Sequence, residues 1–461
     1  MKYSSGFAGM VAVLATNLAA FGQESASPPA PSARIHFKPE RGIVGDVHPY
    51  FHNGECFLYY LGAGVAAELA RSRDLLHWQE NPVTHEAWKP DDDRKVPYFV
   101  LGVFQDPVAN VFRSFYGIKG GSMASSMSTD LLHWSCAPKE YRVPAAEYET
   151  NRRSDPYVFW IPELKEYGCV ICTTTKKGGT VCLATSPDLK QWKDHGPIIP
   201  GSIHTPECPQ MFRLGTHWYV LASLCVRGTV GQPSYWVSES PLGPWVNERA
   251  GVLDGKDLCA AQLAFDGETP IMFGWIPLKP ARLGKQSWDG HLSLPRELYA
   301  LPDGRLGVRL PAKVTQAFAK LPWKESPTLK VGMKPLAVEG QWNRLAAQFM
   351  MSWAETVVNE VRVRVEPLGE ILLQRHLLRI LDAQGVLYAE VPVQYPLDAP
   401  ISVRLFIEDD MVEVFVNDRF ALAARLPEQK GGIRLSFQAD ADQAAVYTLR
   451  TCAWQLPRRW D

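Results

Sequence analysis

Ser72-Arg73-Asp74-Leu75-Leu76-His77-Trp78 returns as Ser128-Thr129-Asp130-Leu131-Leu132-His133-Trp134 and again as Ser186-Pro187-Asp188-Leu189-Lys190-Gln191-Trp192. A looser copy reads Ser238-Glu239-Ser240-Pro241-Leu242-Gly243-Pro244-Trp245. The tryptophans at 78, 134, 192 and 245 lie 56, 58 and 53 residues apart. A steady period marks a repeat architecture, in which each unit covers its apolar face by stacking on the next. Runs such as Glu55-Cys56-Phe57-Leu58-Tyr59-Tyr60, Tyr167-Gly168-Cys169-Val170-Ile171-Cys172 and His217-Trp218-Tyr219-Val220-Leu221-Ala222 precede the repeats and read as strands. Each unit is then a small antiparallel sheet in which one strand ends in a Ser-x-Asp turn, and such sheets stack radially into a β-propeller. Residues 35–322 hold five units of this period, so five blades are expected. The competing repeat fold, a helical solenoid, needs a 3.6-residue period that no stretch carries. Because the tryptophans recur in every unit, they are expected to pack blades and not to hold ligand.

From about Ser326 the texture changes to period-2 alternation, as in Val361-Arg362-Val363-Arg364-Val365 and Val412-Glu413-Val414-Phe415-Val416, which indicates a β-sandwich. The expected fold class is all-β: a five-bladed β-propeller over 35–322 followed by a β-sandwich over 323–461. Upstream, Met1-Lys2-Tyr3 and a mostly apolar run from Phe7 to Phe21 read as a signal peptide over 1–22, with a Ser/Pro/Ala-rich flexible lead over 23–34. The run falls short of the ~20 residues that span a bilayer. Export to the periplasm or the extracellular space is therefore expected, with no membrane span in the mature form.

Lys and Arg total 48 against 49 Asp and Glu, a net charge of -1, which leaves no field to gather nucleic acid or anionic lipid. A neutral partner fits better. With 15 Trp and 11% aromatic residues, flat apolar surfaces of the kind sugar rings stack on are available, although aromatic cores account for much of that content. Nine cysteines are scattered, an odd number that cannot all pair within the chain, and Cys169 with Cys172 lies in a strand-like run. No cofactor and no structural metal are expected. Oligomeric state has no sequence signature here.

Three acids share one local form, a carboxylate followed within three residues by Pro and then an apolar strand. They are Asp46 in Gly45-Asp46-Val47-His48-Pro49-Tyr50, Asp155 in Ser154-Asp155-Pro156-Tyr157, and Glu207 in Pro206-Glu207-Cys208-Pro209. Taken singly, each could be a turn-capping carboxylate. A propeller gathers its inner strands around one axial depression, so acids at equivalent places in different blades can converge across long sequence separations. Two carboxyls suffice to hydrolyse a glycosidic bond, one attacking or directing water and the other protonating the leaving group. The third can hold sugar hydroxyls. His48 is expected to wall the site or to be a satisfied loop histidine, not to act as a base. Trp275, in Phe273-Gly274-Trp275, is either a sugar-stacking residue or a core residue. A G-x-S-x-G elbow and an H-E-x-x-H helix are both missing from the chain.

The residues resemble glycoside hydrolase family 32, the group of invertases, levanases and inulinases, across nearly the whole mature chain. Trp288-Asp289-Gly290-His291-Leu292-Ser293-Leu294-Pro295-Arg296-Glu297-Leu298 is similar to the segment that closes the family's propeller. Gly255-Lys256-Asp257-Leu258-Cys259-Ala260-Ala261-Gln262 resembles its link from fourth to fifth blade, and 406–418 its late sandwich hairpin. The family's Glu-Cys motif is intact as Glu207-Cys208, and its Arg-Asp-Pro corresponds to Ser154-Asp155-Pro156 with Arg153 one place early. Of the nucleophile motif only the acid, Asp46, is kept, with Pro49 displaced. The resemblance implies Asp46 as nucleophile, Glu207 as general acid/base and Asp155 as the residue steadying the sugar, with Arg153, His48 and Cys208 beside the substrate. It implies a retaining mechanism on a furanoside, with a β-fructofuranoside as the first choice and carboxyls about 5 Å apart. Two competing readings are a non-catalytic carbohydrate-binding propeller and a related five-bladed enzyme acting on arabinofuranosides or other sugars. A protein-interaction propeller is more distant, since the fold alone does not decide function.

Overall fold

A computed structural model describes residues 34–454 except 41–42, 62–66, 83, 86–98, 119–121, 136–138, 142–153, 203, 227–228, 279–288, 354–357, 396–398 and 443. The expected signal peptide, nearly all of the lead, and Arg153 lie outside the described residues.

Five successive antiparallel sheets occupy the chain up to Arg309, four of them with four strands and the fifth with five. Their first strands are Ile43–His52, Phe99–Asp106, Ser154–Ile161, Thr205–Leu214 and Cys259–Asp266. Each packs on the next and the last packs on the first, so the sheets form a closed ring of five blades around one axis. Blade packs on blade across the sheet faces, which is why a middle strand such as Glu166–Thr175 is buried almost throughout.

The repeated turn has a clear local cause. In the first blade Ser72 Oγ accepts the N–H of Leu75 (2.8 Å), and Asp74 Oδ1 accepts those of Leu76 and His77 (3.0 and 2.9 Å). Ser128 and Asp130 repeat all three bonds, and Asp188 makes its pair with Lys190 and Gln191. The leucine between, at 75, 131 and 189, is held in the left-handed region with φ of 69, 67 and 62°. A branched residue there costs about 1–2 kcal/mol, which the turn's bonds and burial of the leucine side chain offset. Trp78, Trp134 and Trp192 are buried between blades and Trp245 is partly so, the packing role their recurrence suggests. In the fourth copy Ser240 replaces the Asp, its hydroxyl accepting the Leu242 N–H and its carbonyl the Gly243 N–H.

After the last blade strand, Leu306–Arg309, a short helix, Ala312–Ala319, leads into two packed sheets of seven and six strands. The alternation at 361–365 is observed as buried Val361, Val363 and Val365 between exposed-side arginines. The strand Met411–Val416 is buried on both faces. Its even residues, Val412, Val414 and Val416, enter the sandwich core, while Phe415 joins the propeller's main apolar cluster and Met411 packs on Ile276.

Glu413 lies on that same propeller-facing side and anchors a buried ionic network. Arg296 of the fifth blade bridges Glu413 (2.5 Å) and Asp254 (2.8 Å), and His36 joins Glu413 (2.8 Å) to Glu408 (2.9 Å), every one of these side chains fully buried. Asp254 also accepts the N–H of Ala423 across the interface (2.7 Å). Burial alone would lower the His36 pKa, but its bonds to Glu408 and Glu413 outweigh that and raise it to about 9. A histidine at about 9 folded and 6.5 unfolded adds stability that is complete below pH 6.5 and lost as pH rises through 9, on the order of 3 kcal/mol. The urea midpoint should therefore fall steadily from pH 6.5 to 9. His36→Gln should flatten that slope, and an unchanged slope would remove His36 as its source.

Candidate active site

All five inner strands are irregular at the same place. Register shifts fall between Ile43 and His48, Phe99 and Gly102, Ser154 and Tyr157, Glu207 and Gln210, and Cys259 and Gln262. A bulge re-aims a side chain and leaves backbone groups outside the ladder. At four of these bulges a non-glycine residue takes a left-handed φ: Asp46 (44°), Asp155 (57°), Cys208 (51°) and Ala260 (43°). Asp tolerates this region better than most residues, since its short side chain bonds locally. The three candidate acids thus sit at or beside bulges in the first, third and fourth blades.

Each bulge finds partners in the neighbouring blade. Asp155 Oδ2 accepts the Cys208 N–H (2.9 Å), tying the third blade to the fourth. Gln210 exchanges two bonds with the Leu263 backbone (2.6 and 3.1 Å), and Ser223 Oγ accepts the Ala261 N–H (3.2 Å), tying the fourth to the fifth. His48 closes the ring: its Nε2 accepts the Val103 N–H (2.9 Å) and its Nδ1 faces Gln262 Oε1 (2.5 Å). Only the Nδ1–H tautomer satisfies both. Burial lowers the His48 pKa to about 4, so the ring is neutral, and it works as a brace and not as a base.

The acids themselves are 7% exposed at Asp46 and 9% at Asp155, with Glu207 partly buried. Burial raises the Asp46 pKa well above the ordinary carboxylate range, and the charges of Asp155 and Glu207 raise it further. Glu207 is pushed up to about 7, again by burial first and by Asp155 second, while a bond from the Cys225 thiol (3.2 Å) works in the opposite direction. Three carboxyls that feel one another in a desolvated site cannot all ionise near neutrality, so the cluster holds a proton and titrates as a unit. A proton donor beside an ionisable nucleophile is the arrangement glycosidic cleavage needs.

The structure thus brings Asp46, Asp155, Glu207, His48 and Cys208 together. The Cys208 thiol is buried and its link to the site is the backbone bond to Asp155. Trp275 is not at the site surface. It is fully buried opposite Cys259 in the main apolar cluster, so no ring face is open to a sugar, and of its two readings packing is the correct one. Sequence reading missed Gln262 and Cys225. Their contacts depend on the bulged register, for which the sequence carries no signal.

The Glycosyl hydrolases family 32 N-terminal domain matches residues 36–307, more than half of the chain. The chain belongs to glycosyl hydrolase family 32. It is 25% identical over 339 residues to the extracellular exo-inulinase of Aspergillus niger, covering 58% of this chain and 61% of that protein. It is 29% identical over 308 residues to the raffinose invertase of Escherichia coli, at 60% and 62% coverage. The chain spans about three fifths of the length of these relatives. The crystal structure of exo-inulinase from Aspergillus awamori superposes with a TM-score of 0.72 at 17% identity, over 95% of this chain and all of that one. This family 32 chain thus shares that protein's propeller and sandwich. Among its described residues no helix is long and apolar enough to cross a membrane.

Replacing the brace tests its importance. His48→Phe leaves the Val103 N–H and the Gln262 amide unpaired in the interior, each costing about 1–3 kcal/mol. Denaturant unfolding should show a loss of several kcal/mol, whereas Trp245→Phe, at a partly buried site, should cost less.

Proposed function

We propose that this chain hydrolyses β-fructofuranosides with retention of configuration, through a covalent glycosyl-enzyme. What carries the reading is a buried cluster of three carboxyls, with Glu207 raised to about 7 as a proton donor must be, on the inner strands of a family 32 propeller. In the first step Glu207 gives its proton to the glycosidic oxygen while Asp46, ionised, attacks the anomeric carbon and the leaving sugar departs. In the second, Glu207 as carboxylate takes a proton from water, whose oxygen attacks the same carbon and frees Asp46. Asp155, fixed by the Cys208 N–H, accepts hydrogen bonds from sugar hydroxyls. Arg153 is proposed to bind the substrate, while His48 supports the site as the brace between blades. The curated relatives named for inulin and raffinose cleavage support a fructosyl substrate. The reading extends to export, on the strength of the apolar N-terminal run from Phe7 to Phe21.

The test is release of reducing sugar from sucrose, raffinose, inulin, levan and arabinofuranosides. Activity should appear on fructosides, fall ~10²–10⁴-fold in Glu207→Gln and vanish in Asp46→Asn. The first-formed anomer, read by NMR, should keep the substrate's configuration. Because Glu207 must be protonated to act as the acid, and its pKa is about 7, the rate should decline as pH rises through about 7. Inversion on an arabinofuranoside, or sugar binding without turnover, would overturn the proposal.

A further inference from the structure

Glu207 has a neighbour whose chemistry the reaction above does not use. In the fourth blade Thr205 pairs with Cys225 and Glu207 with Ser223, so Cys225 sits diagonally from Glu207 on the adjacent strand. Its Sγ lies 3.2 Å from Glu207 Oε2 and 3.4 Å from the Ser223 carbonyl, and it accepts the Gly231 N–H at 3.0 Å. A side chain at 231 would lie 1.5 Å from the Leu224 carbonyl oxygen, so only glycine brings that N–H onto the sulfur. With one lone pair engaged by Gly231, the thiol's single proton has two acceptors within reach, the carboxylate and the carbonyl.

We propose that Cys225 is a positioning residue for Glu207, a thiol whose hydrogen bond follows the charge of that carboxyl through the reaction. The proposal rests on the reading of Glu207 as acid/base. When Glu207 is protonated, the thiol proton points to the Ser223 carbonyl. Once Glu207 has given its proton away, the carboxylate is the stronger acceptor, and the thiol turns to Oε2. No proton is transferred; the sulfur keeps its own, and burial raises its pKa far above the working range. The carboxylate is thereby held in one orientation between the two chemical steps, when it must accept a proton from water. The other titratable groups facing this pair are Asp155, Asp46, Cys208 and, on the fifth blade, Cys259. Of these, Asp155 raises both Glu207 and Asp46, and among the described groups Cys225 alone lowers Glu207 through a side-chain bond.

The experiment is the pH dependence of kcat/KM for the full chain carrying Cys225→Ala, Cys225→Ser or Cys169→Ala, beside Glu207→Gln. Losing the donor favours the protonated carboxyl, so Cys225→Ala should move the basic limb upward and lower kcat about tenfold with KM little changed. Cys225→Ser supplies a stronger donor and should move the limb below its original place. Cys169→Ala, at a buried third-blade cysteine, should leave the limb unmoved. If Cys225→Ala does not fold, the downward shift in Cys225→Ser decides alone. Limbs that coincide with the wild type in both Cys225 variants, with the residual activity of Glu207→Gln lacking the basic limb, overturn the positioning role only. A Glu207→Gln enzyme that keeps the wild-type basic limb overturns the acid/base reading and this proposal with it.

Discussion

A bulge in a buried strand exposes backbone N–H and C=O groups to an interior with no water to receive them. Five such bulges line the axis of this propeller, and at or beside those of the second, fourth and fifth blades a side chain from a neighbouring blade takes up the backbone groups. Asp155, Gln210, Ser223 and His48 are those side chains, and together they link the first blade to the second and fifth, and the fourth to the third and fifth. An unpaired buried amide costs about as much as a lost hydrogen bond, so the bulges persist only in the closed ring. The ring in turn depends on their bridges. The left-handed φ at Asp46 and Asp155 is a by-product of the same geometry, and it aims both carboxyls where the strands converge.

The carboxyl cluster follows from this placement. Asp46 and Glu207 are each lifted first by their own burial, and the charge of Asp155 lifts both further. Like charges held close in a desolvated site force a division of labour, with one group protonated and another ionised, without any separate device for tuning each. Glu207, the most exposed of the three, is pushed up to about 7 by burial and by Asp155, and the thiol of Cys225 works against that rise.

The sandwich is tied to this machine by charge as well as by apolar contact. Three acids and an arginine would each be costly to bury alone, and replacing one partner would strand the rest. His36, Arg296 and Arg344, the last 3.5 Å from Glu408, meet Glu408, Glu413 and Asp254 where the two domains touch, three cations interleaved with three anions. Such a network adds little net energy over apolar packing, but it has one satisfactory register. Docking is fixed because Glu413 alternates with the valines of the sandwich core on one short strand, Met411–Val416, so a slip would turn charge into the core.

The sequence by itself determined the architecture, because architecture is written in local rules. The Ser-x-Asp turn needs only residues three apart, its tryptophan recurs with the blade, and alternating valines announce the sandwich; each was legible and each is found. Asp46, Asp155 and Glu207 were also legible, through the proline that follows each at a strand's entry. Trp275 was ambiguous, since a tryptophan reads alike in a core and on a sugar face, and only its packing against Cys259 and the main cluster separates the two. Tertiary structure alone decided the partners: His48 with Gln262, 214 residues away, Glu413 with His36 across 377, and Cys225 beside Glu207 in a register displaced by a bulge. Those contacts depend on ring closure and on which backbone groups a bulge leaves unpaired, and neither quantity exists until distant strands have met.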